Sequence, residues 1–199
     1  MKLSSVVVRW GVGAALLGLG ACASQQPVVA EQSSRPTESL AAYYPLAVGN
    51  RWTYRLNGRA DKSVDVEVLK EEEGYFHDNQ GGQLTVDGFG IRDHKRYLLR
   101  GPLTDGNQWT NVVSVSSTER YRILQTGVPC EVPAGSFPDC VRVEARNRVD
   151  ENTTLVNALT FARGVGLVRI DVSAENVRGE RLPQTRLELV SYKLQDPGR

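Results

Sequence analysis

Hydrophobic and polar residues alternate along much of the chain after residue 43. The alternation is clear at residues 63–68, 141–144, 168–172 and 186–189, where valine, leucine or isoleucine takes every second position. A strand with this pattern has one apolar face and one polar face, because successive side chains point to opposite sides of a sheet. The pattern is typical of an antiparallel sheet that is packed on one side and wet on the other.

Turn-forming residues separate these runs. Pairs that contain glycine recur between the alternating segments, at residues 57–58, 81–82, 87–88, 105–106 and 134–135. We therefore predict an all-β fold of about nine to eleven strands, in a single curved antiparallel sheet that forms a half-barrel or a partly closed barrel. The pattern does not decide whether the interior is packed solid or leaves a cavity.

The first 21 residues have the order of a secretory signal. Lys2 and Arg9 precede an apolar run at residues 11–20, which is too short to span a bilayer comfortably. The run leads into Leu-Gly-Ala-Cys, ending at Cys22, which resembles the lipobox of bacterial lipoproteins. Two alternatives stay open, an ordinary secretory signal with a chance cysteine and an uncleaved anchor helix.

The lipobox resemblance implies cleavage before Cys22, acylation of that cysteine and anchoring in a membrane. Each buried methylene of an acyl chain contributes about 0.8 kcal/mol, so several chains hold a protein firmly. Ala23 follows the cysteine, where the resemblance to enterobacterial lipoproteins implies that aspartate would favour inner-membrane retention. We therefore expect an exported protein that is lipid-anchored at the outer membrane and faces the periplasm or the cell surface.

The mature chain is predicted to have two parts. Residues 22–42 comprise the lipidated cysteine and a flexible tether rich in Gln, Ser, Pro and Ala, with one short helical candidate at residues 36–42. Residues 43–199 form a single β domain. Removal of residues 1–21 takes away two of the 24 basic residues and none of the 23 acidic ones, so the formal charge changes from +1 to −1. This near-neutral balance gives no case for nucleic acid as a partner.

One nine-residue frame occurs twice in the chain. Residues 45–53 read PLAVGNRWT and residues 102–110 read PLTDGNQWT, so that both fit Pro-Leu-x-x-Gly-Asn-x-Trp-Thr. Gly-Asn supports a tight turn, and the tryptophan then opens a strand. We interpret Trp52 and Trp109 as structural aromatic plugs at the end of a curled sheet. Paired tryptophans that line a sugar- or lipid-binding mouth are the functional alternative.

Four phrases of the β domain carry a family resemblance. YYPLAVGNRWTY, GPLTDGNQWT, VPAGSFPDCVRVE and ARGVGLVRI occur in that order. Together they resemble the TapB-like family of bacterial secreted β-rich proteins and lipoproteins, over most of residues 43–193. That family has no accepted catalytic residues, so the resemblance implies none here.

Two cysteines of the β domain are predicted to form a disulfide. Cys130 and Cys140 lie at equal distances from Gly135, so a hairpin that turned there would place them opposite each other. An exported protein meets an oxidising compartment, which favours the bond. Metal binding is the rival interpretation, but His77 and His94 are the only histidines and neither is nearby in sequence.

The motifs of common enzymes are absent from the sequence. The chain has no G-x-S-x-G, no H-E-x-x-H, no phosphate-binding loop and no dinucleotide fingerprint. His77 and His94 lie in charged, turn-rich stretches and are expected to be exposed. We therefore expect no enzyme activity, no cofactor and no metal site.

Three functions are compared. The preferred one is a membrane-anchored envelope lipoprotein that acts as a non-catalytic binding or assembly module, with a protein partner in the envelope. The alternative is a carrier of lipid or lipoprotein with an apolar cavity in a half-barrel. An envelope hydrolase would have to work through one of the two histidines.

Overall fold

A computed structural model of the chain describes residues 40–195. The predicted signal peptide, Cys22 and residues 23–39 of the predicted tether lie outside these residues. Leu40 and Ala41 are helical, and everything regular after them is strand. The strands are β1 (Arg51–Leu56), β2 (Ser63–Glu72), β3 (Tyr75–Asp78), β4 (Gln83–Val86), β5 (Gly90–Arg92), β6 (Tyr97–Arg100), β7 (Gln108–Ser114), β8 (Ser117–Val132), β9 (Gly135–Arg148), β10 (Thr153–Ala162), β11 (Gly166–Asn176) and β12 (Arg181–Lys193).

The strands form one antiparallel sheet with a simple order. Its sequence is β6-β5-β4-β3-β2-β1-β12-β11-β10-β9-β8-β7, so each half of the chain is a six-stranded meander and β1 pairs with β12 between them. The predicted all-β fold and curved antiparallel sheet are confirmed. The strand count is twelve rather than nine to eleven, because β3 to β6 have only three or four residues each. So short a run does not show a period of two.

Side chains bridge the two edge strands of this sheet. The carboxamide of Asn111 in β7 accepts a hydrogen bond from the Tyr97 backbone N–H in β6 and donates one to its carbonyl, both at 3.1 Å. The Asn107 side chain donates to the Arg100 carbonyl at 3.1 Å. We call this junction of β6 and β7 the seam. It brings the sheet close to a closed barrel without a backbone ladder between the two edges.

The inner face of the sheet is covered unequally along the strands. At the end where β1 and β7 begin, which we call the closed end, Trp52, Val141 and Phe161 are fully buried. Leu40, Tyr43 and Tyr44 belong to the same core, so the chain enters the domain at this end. At the opposite end, which we call the open end, several inner-face residues are only half-buried. The interior is therefore packed at one end and accessible at the other.

The outer face of the long strands is charged, as the alternation predicts. Two arginines and two glutamates form a ring across β9, β11 and β12. Arg181 lies 2.8 Å from Glu175 and 2.9 Å from Glu144, and Arg146 pairs with the same two carboxylates. Val156 is opposite Arg146 in the ladder and almost completely covered. The outer face is therefore exposed to solvent, and ion pairs between neighbouring side chains connect its strands.

Candidate functional site

The repeated frame makes the same loop hydrogen bond in both copies. Asn50 Nδ2 donates to the Pro45 carbonyl at 2.6 Å, and Asn107 Nδ2 donates to the Pro102 carbonyl at 2.9 Å. In each copy the asparagine holds the loop that begins at the proline. The repeated frame is therefore one structural solution used twice, and its asparagines serve the loop rather than a ligand.

The frame also sets the first strand pairing of each half. Gly49 donates to the Val68 carbonyl at 2.8 Å, and the Val68 N–H donates to the Asn50 carbonyl at 2.9 Å. The corresponding residues of the second copy make the same exchange with Ile123, again at 2.8 and 2.9 Å. Gly49 has φ of 87°, a backbone conformation that favours glycine. The motif thus places β2 beside β1 and β8 beside β7.

The two tryptophans lie at the closed end and differ in their partners. Trp52 is 0% exposed, packs 5.4 Å from Tyr44 between ring centroids and donates its indole N–H to the Val165 carbonyl at 2.8 Å. Trp109 is 6% exposed and donates to the Tyr97 carbonyl at the seam, also at 2.8 Å. Both indoles are buried with their one donor satisfied, so neither offers a face to a ligand.

A disulfide joins Cys130 and Cys140, with 6.1 Å between their Cα atoms. The predicted geometry of the hairpin was wrong, because the turn lies at residues 133–134 and not at Gly135. Pro133 has the fixed φ that suits the first position of a turn. Cys130 consequently pairs with Phe137 in the ladder, and the register shifts that follow bring the second cysteine within reach.

The two histidines are placed apart from any catalytic arrangement among residues 40–195. His77 is half-buried in β3 rather than exposed, and Asp78 next to it points to the opposite face of the strand. His94 is exposed, stacks on Tyr75 with 4.0 Å between centroids and lies 2.5 Å from Gln83 Oε1. No group of three metal-ligating side chains occurs within these residues.

The inner face at the open end is the candidate functional site. Its apolar residues are half-buried although they point inward, and they come from five strands: Leu56, Val64, Leu155, Ile170, Val172 and Leu187. Leu182 continues the same face and is 66% exposed. Apolar side chains that face inward without full burial leave surface that a ligand would remove from water.

A polar row borders this apolar surface. Asn111, Glu119 and Asn147 lie opposite one another on β7, β8 and β9, and the row continues into Leu155 on β10. Asn111 and Glu119 are only 6% and 8% exposed, so the row points inward. The Oδ1 atom of Asn147 is buried and accepts no hydrogen bond from any residue that the structure describes.

Glu119 is held by two neighbours. Tyr121 donates its hydroxyl to Glu119 at 2.9 Å, and burial together with this carboxylate raises the pKa of Tyr121 well above its usual value. Arg96 lies 3.6 Å from the other Glu119 oxygen and 3.4 Å from Asp93. Two carboxylates therefore share one guanidinium beside the polar row.

The polar row can be recognised in the sequence from the same alternation that marks the strands. In the stretch from Val141 to Asn147, every second residue is inward, so the alternation that marks the strand also carries Asn147 to the inner face. The same extension places Glu119 inside, two residues before Tyr121. A polar residue at an inward position of an alternating strand therefore indicates a polar group inside the sheet.

The outer face has open grooves near the open end as well. One of about 680 Å³ lies beside Arg181 and Arg186, and one of about 740 Å³ lies beside Arg120, Arg146 and Arg148. Arg181 and Arg186 are paired with carboxylates, as is Arg146. Since Asp150 and Glu151 also line the second groove, neither groove has a clear excess of charge for an ionic ligand.

Comparisons with known proteins leave the family open. No family model matches the chain and no curated protein matches it, so the TapB-like resemblance is not confirmed. Among residues 40–195 no helical segment has the length and hydrophobicity of a membrane span.

Two crystal structures are similar to the chain. One is a protein from Bacteroides fragilis described as exported with a YmcC-like fold, at 15% identity, a TM-score of 0.43, and coverage of 74% of this chain and 97% of that one. The other is from Parabacteroides distasonis and described as a lipoprotein, at 13% identity, a TM-score of 0.44, and coverage of 76% and 98%.

Proposed function

We propose that the protein is a non-catalytic envelope lipoprotein, anchored through Cys22 at the outer membrane, that binds an apolar group of a ligand or partner at its open end. The observation that carries this proposal is the difference in burial along one inner face. Val143 in β9 is fully buried, whereas Ile170 and Val172 in β11, two strands away, are half-buried on the same face.

The position of the chain entry supports the proposed arrangement. Leu40 and Tyr44 pack into the closed end, and Gly164 in the turn between β10 and β11 donates to the Ala42 carbonyl. A tether from Cys22 would therefore join the domain at its closed end, away from the half-buried residues of the open end.

The carrier of lipid or lipoprotein is the second candidate, and the chemistry of the lining favours it. The apolar half-buried residues of the open end are aliphatic, and aliphatic side chains suit an acyl chain. Asn157 and Thr185 flank Val172 on the same face, so the lining also carries polar groups. A protein partner would instead insert apolar side chains into the same surface. Both candidates use the same site, so one binding experiment tests it and the nature of the bound species separates them.

The experiment is a titration of the purified protein with the neutral apolar dye N-phenyl-1-naphthylamine. We expect saturable fluorescence enhancement in the wild type and about tenfold weaker binding in Val172→Asp, because a carboxylate at that position would have to be desolvated by the dye. Val112 is exposed on the outer face of β7, so Val112→Asp serves as the matched control and should stay within about twofold.

Two results would contradict the proposal. The site is wrong if Val172→Asp binds the dye as well as the wild type does, or if both aspartate variants weaken binding equally. Native mass spectrometry of the same preparations then separates the candidates, since a bound lipid adds its own mass and supports the carrier. A bare protein that binds the dye supports a module for a protein partner.

A further inference from the structure

The polar row at the edge of the open end has one member whose acceptor oxygen has no hydrogen-bond partner among residues 40–195. Asn111 is bonded to the backbone of Tyr97, and Glu119 is bonded to Tyr121 and faces Arg96. Asn147, directly opposite Glu119, has a buried Oδ1 that accepts no hydrogen bond within residues 40–195. A buried acceptor without a partner gives up its hydration with nothing in exchange, so such a group calls for an explanation.

The surroundings of Asn147 define what would satisfy it. Leu155 is its neighbour on β10, and Ala174 follows on β11, so the apolar surface begins immediately beside the carboxamide. A ligand seated there would place a polar group against Asn147 and an apolar chain along the half-buried aliphatic residues. The geometry therefore points to an amphiphile rather than to a wholly apolar ligand.

The charged residues near Asn147 restrict which kind of headgroup can bind there. Glu119 lies directly opposite Asn147 in the ladder, so an anionic headgroup at Asn147 would be placed beside a carboxylate. The carboxamide of Asn147 offers both an acceptor and donors, and a hydroxyl can complement both. An uncharged hydroxyl group fits this position better than a phosphate or a carboxylate.

We propose that the open end binds an amphiphile with an uncharged hydroxyl-bearing headgroup, which donates a hydrogen bond to Asn147 Oδ1 while its apolar chain covers Ile170, Val172 and Leu187. This inference rests on the proposed function, since it names the ligand class of the same site. It adds a specificity-determining residue that the apolar lining alone does not supply.

The test compares three ligands that share one chain length. Monopalmitoylglycerol has hydroxyls, methyl palmitate has none, and palmitate is anionic. Displacement of N-phenyl-1-naphthylamine gives the affinity of each for the full mature protein. We expect monopalmitoylglycerol to bind at least tenfold more tightly than methyl palmitate, and palmitate to bind more weakly than monopalmitoylglycerol.

Asn147→Leu is the decisive variant. It should reduce the preference for monopalmitoylglycerol over methyl palmitate to within twofold. Asn152 is exposed in the hairpin between β9 and β10, so Asn152→Leu is the matched control and should keep the full preference. Thermal unfolding of ligand-free Asn147→Leu should show no loss of stability, because the substitution removes an unsatisfied polar group.

Three other outcomes would contradict the headgroup inference, and one of them would also contradict the proposed function. If wild type binds all three ligands equally, the headgroup inference is wrong and the proposed binding function stands. If it binds none of them and no dye, the proposed function fails and the inference fails with it. A marked loss of stability in Asn147→Leu would show that the carboxamide serves the fold, and this would also overturn the inference.

Discussion

The first half of the domain, β1 to β6, and the second half, β7 to β12, begin with the same nine-residue frame but differ in the length of the strands that follow it. After the frame, the first half continues with strands of ten, four, four, three and four residues. The second half continues with strands of 16, 14, 10, 11 and 13 residues. The loop, the glycine turn and the first strand pairing are shared, so the frame starts a meander without determining how long its strands become.

This difference in strand length determines which half of the domain forms the accessible inner face. The long strands of the second half carry the polar row, most of the half-buried aliphatic residues and the ion-pair ring on the outer face. The short strands of the first half reach only part of that height, since each residue adds about 3.3 Å. The accessible inner face therefore belongs mainly to the second half, while both halves contribute a tryptophan to the closed end.

The largest expected effects come from the two tryptophans. Trp52→Ala and Trp109→Ala should each lower the free energy of unfolding by about 3–5 kcal/mol, because each removes a large buried side chain. Phenylalanine variants sharpen the comparison. Trp52→Phe leaves the buried Val165 carbonyl without its donor, whereas after Trp109→Phe the Tyr97 carbonyl keeps the bond from Asn111. Urea denaturation should show the greater loss for Trp52→Phe, and the reverse order would contradict the account.

The disulfide exists only in the second half and gives the next largest effect. Replacement of Cys130 and Cys140 by serine should lower the free energy of unfolding by about 2–3 kcal/mol, the chain-entropy expectation for a loop of this length. Urea denaturation of the double variant measures it, with reduced wild type as the control. A double variant as stable as the oxidised wild type would show that the hairpin needs no covalent closure.

The two frame asparagines should differ although their positions match. Asn50 is 1% exposed, and its side chain both donates to Pro45 and accepts from the Gln195 backbone N–H at 2.6 Å. Asn107 is half-buried and donates only to backbone carbonyls. Asn50→Ala should cost about 2–3 kcal/mol and Asn107→Ala about 1 kcal/mol. Equal losses in urea denaturation would mean that the extra contact to the C-terminal segment contributes nothing.

The smallest effect concerns the ion-pair ring of the second half and depends on pH. Hydrogen bonds from Arg146 and Arg181 lower the pKa of Glu175 from 4.5 to about 2. Because the folded-state pKa is depressed, the contribution of Glu175 to stability is present above about pH 4.5 and is lost as the pH falls toward 2. The stability difference between wild type and Glu175→Gln should therefore be constant near neutral pH and shrink below pH 4.5. A difference that grows on acidification would contradict this assignment.

Local sequence patterns predicted much of this fold. The alternation around Val143 and Ile170 identified the strands and their buried faces, because a period of two is a property of each strand alone. The frame around Trp52 and Trp109 predicted a tight turn followed by a strand, because such a turn also depends only on residues close in the chain. Those features depend on neighbours in the chain, and a single sequence is enough to show them.

The features that were missed depend on distant residues or on very short runs. The seam pairs Asn111 with the backbone of Tyr97 across the two edges of the sheet, and no periodicity encodes such a contact. The hairpin turn at Pro133 shifted the expected partners of Cys130 by altering the register. Asn147 was missed because its importance lies in an Oδ1 atom that has no partner within residues 40–195, which only the arrangement of β8, β9 and β10 shows.

The central claim is that one inner face is packed toward the closed end and accessible toward the open end, and thiol labelling measures it directly. Val143→Cys and Val172→Cys each place one cysteine on that face, with the native disulfide left intact. We predict fast labelling of Val172→Cys by a water-soluble maleimide, slowed by monopalmitoylglycerol, and labelling of Val143→Cys only on unfolding. If Val172→Cys is as protected as Val143→Cys in the ligand-free protein, the interior is packed throughout and the proposed binding site does not exist.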